Sequence, residues 1–261
     1  MSGRNGNSRV ASTVLPIVAL AVLIGLWWLA TIVFHIQSFL LPSPADVVRS
    51  FAGTPGYLLQ QAGWTLLETL IGYAIAAVAG LLVAMVLTAI RPLQQAMLPL
   101  LVAVNSVPKV AVAPLLVVWL GFGMTPKIVM VVLIAFFPIV VSSMAGLSST
   151  PADLAELARS LSASHSQAFL KVRLPWALPQ VFVGLKVAIS LAVIGAVVGE
   201  LTNASGDQGL GFVITASGAT NDTALAFAAI TLLAILAIGL FYLVAGAERL
   251  LLPWHRSVTA S

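Results

Sequence analysis

Three charged side chains lie inside or at the ends of long apolar stretches: Glu68, Lys109 and Glu200. A charge in such a stretch is costly unless it meets a cavity or a partner, which makes it a candidate for lining a solute path. Lys109 follows Asn105 and Ser106, and together these side chains offer a solute one positive charge and two hydrogen-bonding groups. We therefore predict a translocation path that contains Asn105, Ser106, Lys109 and Glu200.

Each of these charges also has a simpler explanation. Lys109 can extend its aliphatic stem and reach a membrane surface, which agrees with the sequence equally well. Glu200 falls at the end of an apolar run, where a solvated or helix-paired carboxylate is the more frequent case. Glu68 lies near the start of another run, and we assign it to structure.

The sequence offers no set of residues for covalent or metal chemistry. Its histidines, His35, His165 and His255, lie in separate loops or span ends, and no pair has the spacing of metal ligands. Cysteine is absent, and the glycine cluster at 121–123 lacks the Gly-Lys-Ser/Thr ending of a phosphate-binding loop. An intramembrane hydrolase would need a Ser/His or acid pair, which we do not find. We expect no catalytic residue, metal site or cofactor in this chain, which is not an enzyme.

Composition places these residues in a membrane protein. Hydrophobic residues make up 60% of the 261 positions and charged residues only 8%, whereas about a quarter of the residues in a soluble domain are charged. The net charge of +4 does not indicate a nucleic-acid partner, because the basic residues flank apolar runs and form no patch interleaved with aromatic residues. The expected partner is a lipid bilayer.

Six apolar stretches predict an all-α protein that crosses the membrane six times. A hydrocarbon layer of about 30 Å requires about 20 apolar residues in a helix. We predict a polar tail at residues 1–12 and a single transmembrane domain at 13–261, with spans at 13–34, 65–90, 93–122, 128–146, 181–200 and 223–246. Shorter interfacial helices are expected after Ser43 and within 202–222.

The third stretch, 93–122, is the most irregular. Pro99, Pro108 and Pro114 interrupt it, and it contains the polar residues of the predicted path. Irregular backbone at membrane depth is tolerated where protein or a water-filled cavity satisfies the freed polar groups. This segment is therefore the first candidate for lining a path.

Charge asymmetry predicts the orientation. Nine basic residues fall on the side of the two termini, and the opposite side holds only Arg49 and Lys127, with Lys109 counted as intramembrane. The nine are Arg4, Arg9, Arg91, Arg159, Lys171, Arg173, Lys186, Arg249 and Arg256. Because cytoplasmic loops carry the excess of Lys and Arg, both termini are expected in the cytoplasm.

The longest polar interruption, 148–179, predicts two short helices that meet at a bend. In the first, about 151–161, Thr150 is a suitable N-cap and Pro151 a suitable first residue. Its apolar residues recur at helical spacing: Leu154, Leu157, Ala158 and Leu161. The opposite side carries Asp153, Glu156, Arg159 and Ser160.

The second helix of this loop is predicted at about 164–173. It would direct Phe169 and Val172 inward and end at Leu174-Pro175, because proline disfavours a helical residue before it. Two helices at a bend, followed directly by a membrane span, form a lever that a soluble partner could push. The alternative is a helix that only lies on the membrane, but such helices favour flanking Lys and Arg over acids.

The loop also carries a known pattern. It resembles the EAA signature of bacterial ABC importer permeases. In this chain the pattern reads Glu156-Leu157-Ala158, three residues, Ser162, nine residues, Val172, one residue and Leu174-Pro175. Leu157, Ser162 and Val172 depart from the usual Ala, Gly and Ile of that signature. Further stretches, 106–123, 136–147, 197–214 and 248–255, are similar to the nitrate, sulfonate and taurine branch of these permeases.

The resemblance implies the permease fold and a permease subunit that imports a small polar solute. The solute would be an anion such as nitrate, a sulfonate, taurine or bicarbonate, or alternatively a heterocyclic vitamin precursor. The implied partners are a second permease copy, two cytoplasmic ATPases that bind ATP and Mg, and an external substrate-binding protein. The implied ATPase-coupling residues are Asp153, Leu154, Glu156, Leu157, Ala158, Leu161, Ser162, Val172, Leu174 and Pro175. An ATP-independent secondary transporter or channel is the rival class, but the sequence shows neither inverted repeats nor several intramembrane titratable groups.

Overall fold

The computed structural model describes residues 5–202 and 208–254, with side chains from residue 14 onward. Within these helices the side chains of five residues are not described: Arg91, Ala155, Leu157, Arg159 and His165. All regular elements in the described part of the chain are helices. They are α1 (Asn5–Val33), α2 (Pro44–Gly53), α3 (Pro55–Ala89), α4 (Arg91–Ser106), α5 (Lys109–Leu120), α6 (Met124–Ser148), α7 (Ala152–Ser160), α8 (His165–Ala168), a π-helical turn (Phe169–Arg173), α9 (Leu174–Thr202), α10 (Leu210–Ala219) and α11 (Thr223–Leu251).

The spans agree with the predicted pattern. Five helical stretches are long and apolar enough to cross a membrane, and α4 with α5 forms a sixth candidate that is bent by 85°. Only Pro108 breaks this segment, since Pro99 and Pro114 lie inside α4 and α5. The prediction that all three prolines interrupt the helix was therefore wrong, because a helix can bend at proline without ending.

The chain divides into two compact units. The first contains residues 1–59 and 213–231. In it Ser43 and Asp46 form a capping box at α2, with hydrogen bonds of 3.1 and 3.2 Å, which confirms the predicted helix after Ser43. The Ser43 hydroxyl and backbone N–H hold the pKa of Asp46 below its ordinary value. The Thr223 hydroxyl donates to Phe39 O at 2.6 Å and fixes the start of α11.

The second unit contains residues 60–212 and 232–261, and its core lies between α3, α6 and α9. Gly72 and Gly80 of α3 face α6 so closely that an added Cβ would lie 2.5 Å from Val131 Cβ and 2.9 Å from Ile139 Cγ2, respectively. On α9, a Cβ at Gly199 would lie 2.9 Å from Lys127 Cα. Small residues thus let these helices pack closely, and this packing brings the polar residues at one end of the helices together.

Candidate functional site

The polar loop begins where α6 ends, and α7 follows at Ala152. The Thr150 hydroxyl is buried without a hydrogen-bond partner, so the predicted N-cap is wrong. Pro151 precedes the helix and is not its first residue. Trp176 Nε1 donates to Ser149 O at 3.2 Å and ties the end of α6 to the start of α9.

The bend between α7 and α8 lies at Ser162, where the sequence pattern places it. Ser162 adopts φ 52°, the left-handed conformation for which glycine is favoured. Ala163 N–H bonds to Ala158 O at 3.0 Å, which closes α7 in a Schellman-type turn. Ser164 and Gln167 then form the next capping box, with hydrogen bonds of 2.9 and 3.3 Å.

The second loop helix does not end at Leu174-Pro175. α8 passes through the π-helical turn into α9, and Leu174 is helical with φ −65° and ψ −49°. Leu174 N–H bonds to Phe169 O, five residues back, so the hydrogen-bond pattern widens just before the residue that has no N–H. A π turn at this point lets the helix continue past Pro175. The loop is therefore continuous with its span.

The apolar residues of α7 do not form one free face. Ala158 is only 7% exposed and lies against its own chain, whereas Leu161 is 73% exposed. The side chain of Leu157 lies outside the described residues. Asp153 and Glu156 are exposed and Leu154 is partly buried, so the acidic side of the helix is available to a partner.

An open cavity of about 550 Å³ lies between α7, α8 and the ends of α3 and α6. Phe169 and Val172 line it and are partly buried, as predicted from their spacing. Its remaining walls come from residues that include Met85, Thr88, Leu147, Thr150, Ala158 and Arg173. The cavity separates part of the loop from the span bundle.

Lys109 lies at the break between α4 and α5. Its ammonium group donates to Asn105 Oδ1 at 2.6 Å and to Asn105 O at 3.2 Å. Ser106 Oγ donates to Val102 O at 2.9 Å. Lys109 and Asn105 are thus in contact, whereas the Ser106 hydroxyl bonds within its own helix. Through Asn105 O, Lys109 satisfies one carbonyl group in the last turn of α4, where a cation is favoured.

A buried ion pair lies at the opposite end of the second unit from the polar loop. Lys127 Nζ lies 3.0 Å from Glu68 Oε1, and their side chains are 2% and 1% exposed. Lys127 also donates to Gln208 O at 2.9 Å. This pair agrees with the expectation that Glu68 has a structural role. Lys127, which we counted on the side opposite to the termini, is buried, and Gly199 packs closely against its backbone.

Glu200 belongs to the same buried cluster. Its Oε1 accepts from Thr65 Oγ1 at 2.6 Å, and its Oε2 accepts from Gly211 N–H at 2.6 Å. Leu210 N–H bonds to Thr65 Oγ1 at 2.9 Å, so the first N–H groups of α10 are satisfied by α3 and α9. Gly209 has φ 104°, and a Cβ there would collide with the Glu200 carboxylate. Glu200 is thus buried and hydrogen-bonded to α3 and α10.

Sequence reasoning missed Gln61 and Thr65 as members of this cluster. Gln61 Oε1 accepts from Gly209 N–H at 2.6 Å, and Gln61, Thr65 and Glu68 share one face of α3. Their spacing of four and three residues could have indicated the cluster, because polar residues at that spacing in an apolar helix lie on the same face. We call Gln61, Thr65, Glu68, Lys127 and Glu200 the buried polar cluster.

Comparison with known proteins identifies the family. Residues 76–256 match the family described as "Binding-protein-dependent transport system inner membrane component". A probable ABC transporter permease protein of Haemophilus influenzae is 37% identical, with 87% of this chain and 92% of that protein covered. The riboflavin transport system permease protein RibX of Chloroflexus aurantiacus is also 37% identical, over 92% of this chain and 90% of that protein.

Two further comparisons concern the branch of the permease family and the fold of the chain. The taurine transport system permease protein TauC of Escherichia coli is 31% identical, over 94% of this chain and 90% of that protein. A chain of the MetNI methionine ABC transporter, solved in inward-facing conformations, superposes with a TM-score of 0.62 at 24% identity. That alignment covers 76% of this chain and 95% of the other, and it establishes the predicted permease fold.

The predicted family, fold and membrane location are therefore confirmed. The relatives carry the names of transport permeases, so this multi-pass inner-membrane chain is a transporter subunit and not an enzyme, and ATP hydrolysis belongs to a separate chain. The chain belongs to the binding-protein-dependent transport system inner membrane components, the permeases of ABC importers.

Proposed function

We propose that this permease imports a small polar anion, such as nitrate, a sulfonate, taurine or bicarbonate. The observation that carries the proposal is Lys109 at the break of the bent span, beside Asn105 and Ser106. Among the described residues Lys109 has no acidic partner, and Asn105 occupies two of its three N–H donors. A positive charge with a remaining donor attracts an anion and disfavours a cation.

A second candidate solute is a heterocyclic vitamin precursor. It is favoured by the 37% identity to the riboflavin permease, against 31% for the taurine permease. Reconstituted vesicles that contain the permease, its ATPase and its binding protein would separate the two. ATP-dependent uptake of riboflavin or a pyrimidine, without uptake of any small anion, would favour this candidate.

The Lys109 proposal makes a charge-specific prediction. We expect Lys109→Glu to reduce the rate of uptake much more than Lys109→Gln, because the first repels an anion and the second only removes the attraction. Glutamate and glutamine have nearly the same size and shape, so the two variants differ in charge and in the amide N–H donors that only glutamine has. The measurement is ATP-dependent uptake at matched membrane levels and matched ATPase assembly. Equal rates in the two variants would contradict an anion-attracting role.

For assembly, we propose a complex of two permease copies, two ATPases that bind ATP and Mg, and an external binding protein. The ATPase would contact the loop 148–179 on its exposed side, which presents Asp153, Glu156 and Leu161. Leu157 would supply an apolar contact to the ATPase. The remaining coupling residues would hold that side in place: Leu154, Ala158, Ser162, Val172, Leu174 and Pro175. ATP-driven closure of the ATPases would then move the spans between inward and outward access.

We further propose a single six-span domain over residues 13–261, after a short tail at 1–12, with both termini in the cytoplasm. Nine basic residues lie on the side of the termini, and burial of Lys127 leaves Arg49 as the described basic residue of the opposite surface. The difference in basic residues between the two sides, which determines orientation in the membrane, is thereby larger.

The orientation is tested with single cysteines, since the chain has none of its own. We expect Ser164→Cys to react with an impermeant thiol reagent only after the inner face is opened, and Ser50→Cys to react from outside. Ser8 and Ser257 should behave like Ser164, and Ser205 like Ser50, although these three side chains lie outside the described residues. Labelling of Ser164→Cys in sealed cells would disprove the orientation.

A further inference from the structure

The buried polar cluster carries an uneven number of charges. Its ionisable members are Glu68 on α3, Lys127 on α6 and Glu200 on α9, and each is at most 2% exposed. Two carboxylates and one ammonium group leave one negative charge in excess if both carboxyls are ionised. Burying an unpaired charge is far more costly than burying a neutral, hydrogen-bonded group.

The hydrogen bonds of the cluster also indicate that one donor is missing. Lys127 donates to Glu68 Oε1, while Glu200 accepts from Thr65 and from Gly211 N–H. Glu68 Oε2 is buried and has no hydrogen-bond donor among residues 5–202 and 208–254. An ionised carboxylate with one oxygen left unpaired in such surroundings is unusual, because buried polar atoms are nearly always satisfied.

The neighbour that can supply the missing donor is the second carboxyl group. Glu68 lies one turn after Thr65 on α3, and Thr65 bonds to Glu200 at 2.6 Å. Lys127 pairs with Glu68 and packs against Gly199, the residue before Glu200, so the two carboxyl groups are neighbours in the cluster. A protonated Glu200 can donate its hydrogen to Glu68 Oε2 and still accept from Thr65 and Gly211 through its oxygen lone pairs. The Lys127–Glu68 ion pair is unchanged by this arrangement.

We propose that the buried polar cluster is a proton-binding site, in which Glu200 carries one proton and donates it to Glu68 Oε2. The bound proton makes the cluster neutral and satisfies every oxygen of both carboxyl groups. It also allows Glu200 and Thr65 to hold the start of α10 without an unpaired charge. The inference depends only on the contacts within the cluster and is independent of the proposed solute.

Infrared spectroscopy of the full-length permease in lipid nanodiscs tests the proposal directly. Near neutral pH we expect the carbonyl band of a protonated carboxylic acid, which ¹³C-labelled glutamate and deuterium exchange will identify by their shifts. Glu200→Gln should remove the band. Glu68→Gln should remove it too, because Lys127 and an ionised Glu200 then balance without a proton. The exposed Glu156→Gln is the matched control and should retain it.

Each outcome of the infrared experiment either supports or contradicts the bound proton. A band in the natural chain that both cluster variants lose and the control keeps supports the bound proton. Absence of the band in the natural chain would overturn it, since a water molecule on Glu68 Oε2 would leave both carboxyls ionised. Persistence of the band in both variants would also overturn it. The spectrum of the natural chain decides the question even if a variant fails to fold.

Discussion

Lys127→Met is expected to destabilise the folded permease by about 3–5 kcal/mol, the usual cost of leaving one partner of a buried ion pair uncompensated. Lys127 is 2% exposed, and both of its described partners, Glu68 and Gln208 O, would lose their donor. Methionine is apolar and of similar length, so loss of packing contributes little. The measurement is thermal unfolding of the purified protein in detergent, followed by loss of monodisperse material.

The chain supplies a matched control for this substitution. Lys186 lies 2.7 Å from Glu248, but the side chains of that pair are 23% and 18% exposed. Partial access to water weakens an ion pair, so Lys186→Met should cost about 1 kcal/mol or less. The double variant Lys127→Met/Glu68→Gln should recover much of the loss, because it removes the stranded charge. Similar losses for Lys127→Met and Lys186→Met would show that burial of the first pair is not decisive.

Glu156→Lys is expected to reduce coupled transport about tenfold or more, which corresponds to at least about 1.4 kcal/mol of lost coupling energy. Glu156 is exposed on α7, so reversal of its charge disturbs a partner surface and leaves the core intact. Leu157→Asp should have a similar effect through the apolar part of the same contact. The assay compares solute uptake with ATP hydrolysis in vesicles that contain the whole transporter.

Conservative changes at the same positions separate docking from folding. Glu156→Gln and Leu157→Met keep the size of each side chain, and we expect both to transport at a large fraction of the natural rate. All four variants should reach the membrane at equal levels. Ordinary uptake by Glu156→Lys and Leu157→Asp would show that α7 is not where the ATPase is coupled.

Local rules predicted much of the architecture. Apolar length predicted the spans, and Ser43 predicted the start of α2. The loop was predicted as two helices at a bend, and the left-handed φ of Ser162 lies where the pattern expects glycine. These features depend on residues that are near one another in the sequence or repeat with helical period.

The errors have a common physical origin in contacts that sequence spacing does not show. Leu174-Pro175 was expected to end a helix, but a π-helical turn accommodates the proline. Lys127 was predicted on the side opposite to the termini, and nothing in the sequence indicated that packing against Gly199 and pairing with Glu68 bury it. Such a pair joins residues 59 positions apart, and neither residue alone indicates its partner.

The continuity of α8, the π-helical turn and α9 has a mechanical consequence. Together they form a helical stretch of 37 residues, Ser166–Thr202, or about 55 Å of helix. One end adjoins the bend at Ser162, and the other carries Glu200 and thereby the start of α10. A tilt of about 10° around the midpoint would displace each end by about 5 Å in opposite directions, given a rise of about 1.5 Å per residue. A small displacement of the loop 148–179 would thus move the Glu200 carboxyl group at the far end through one continuous helix.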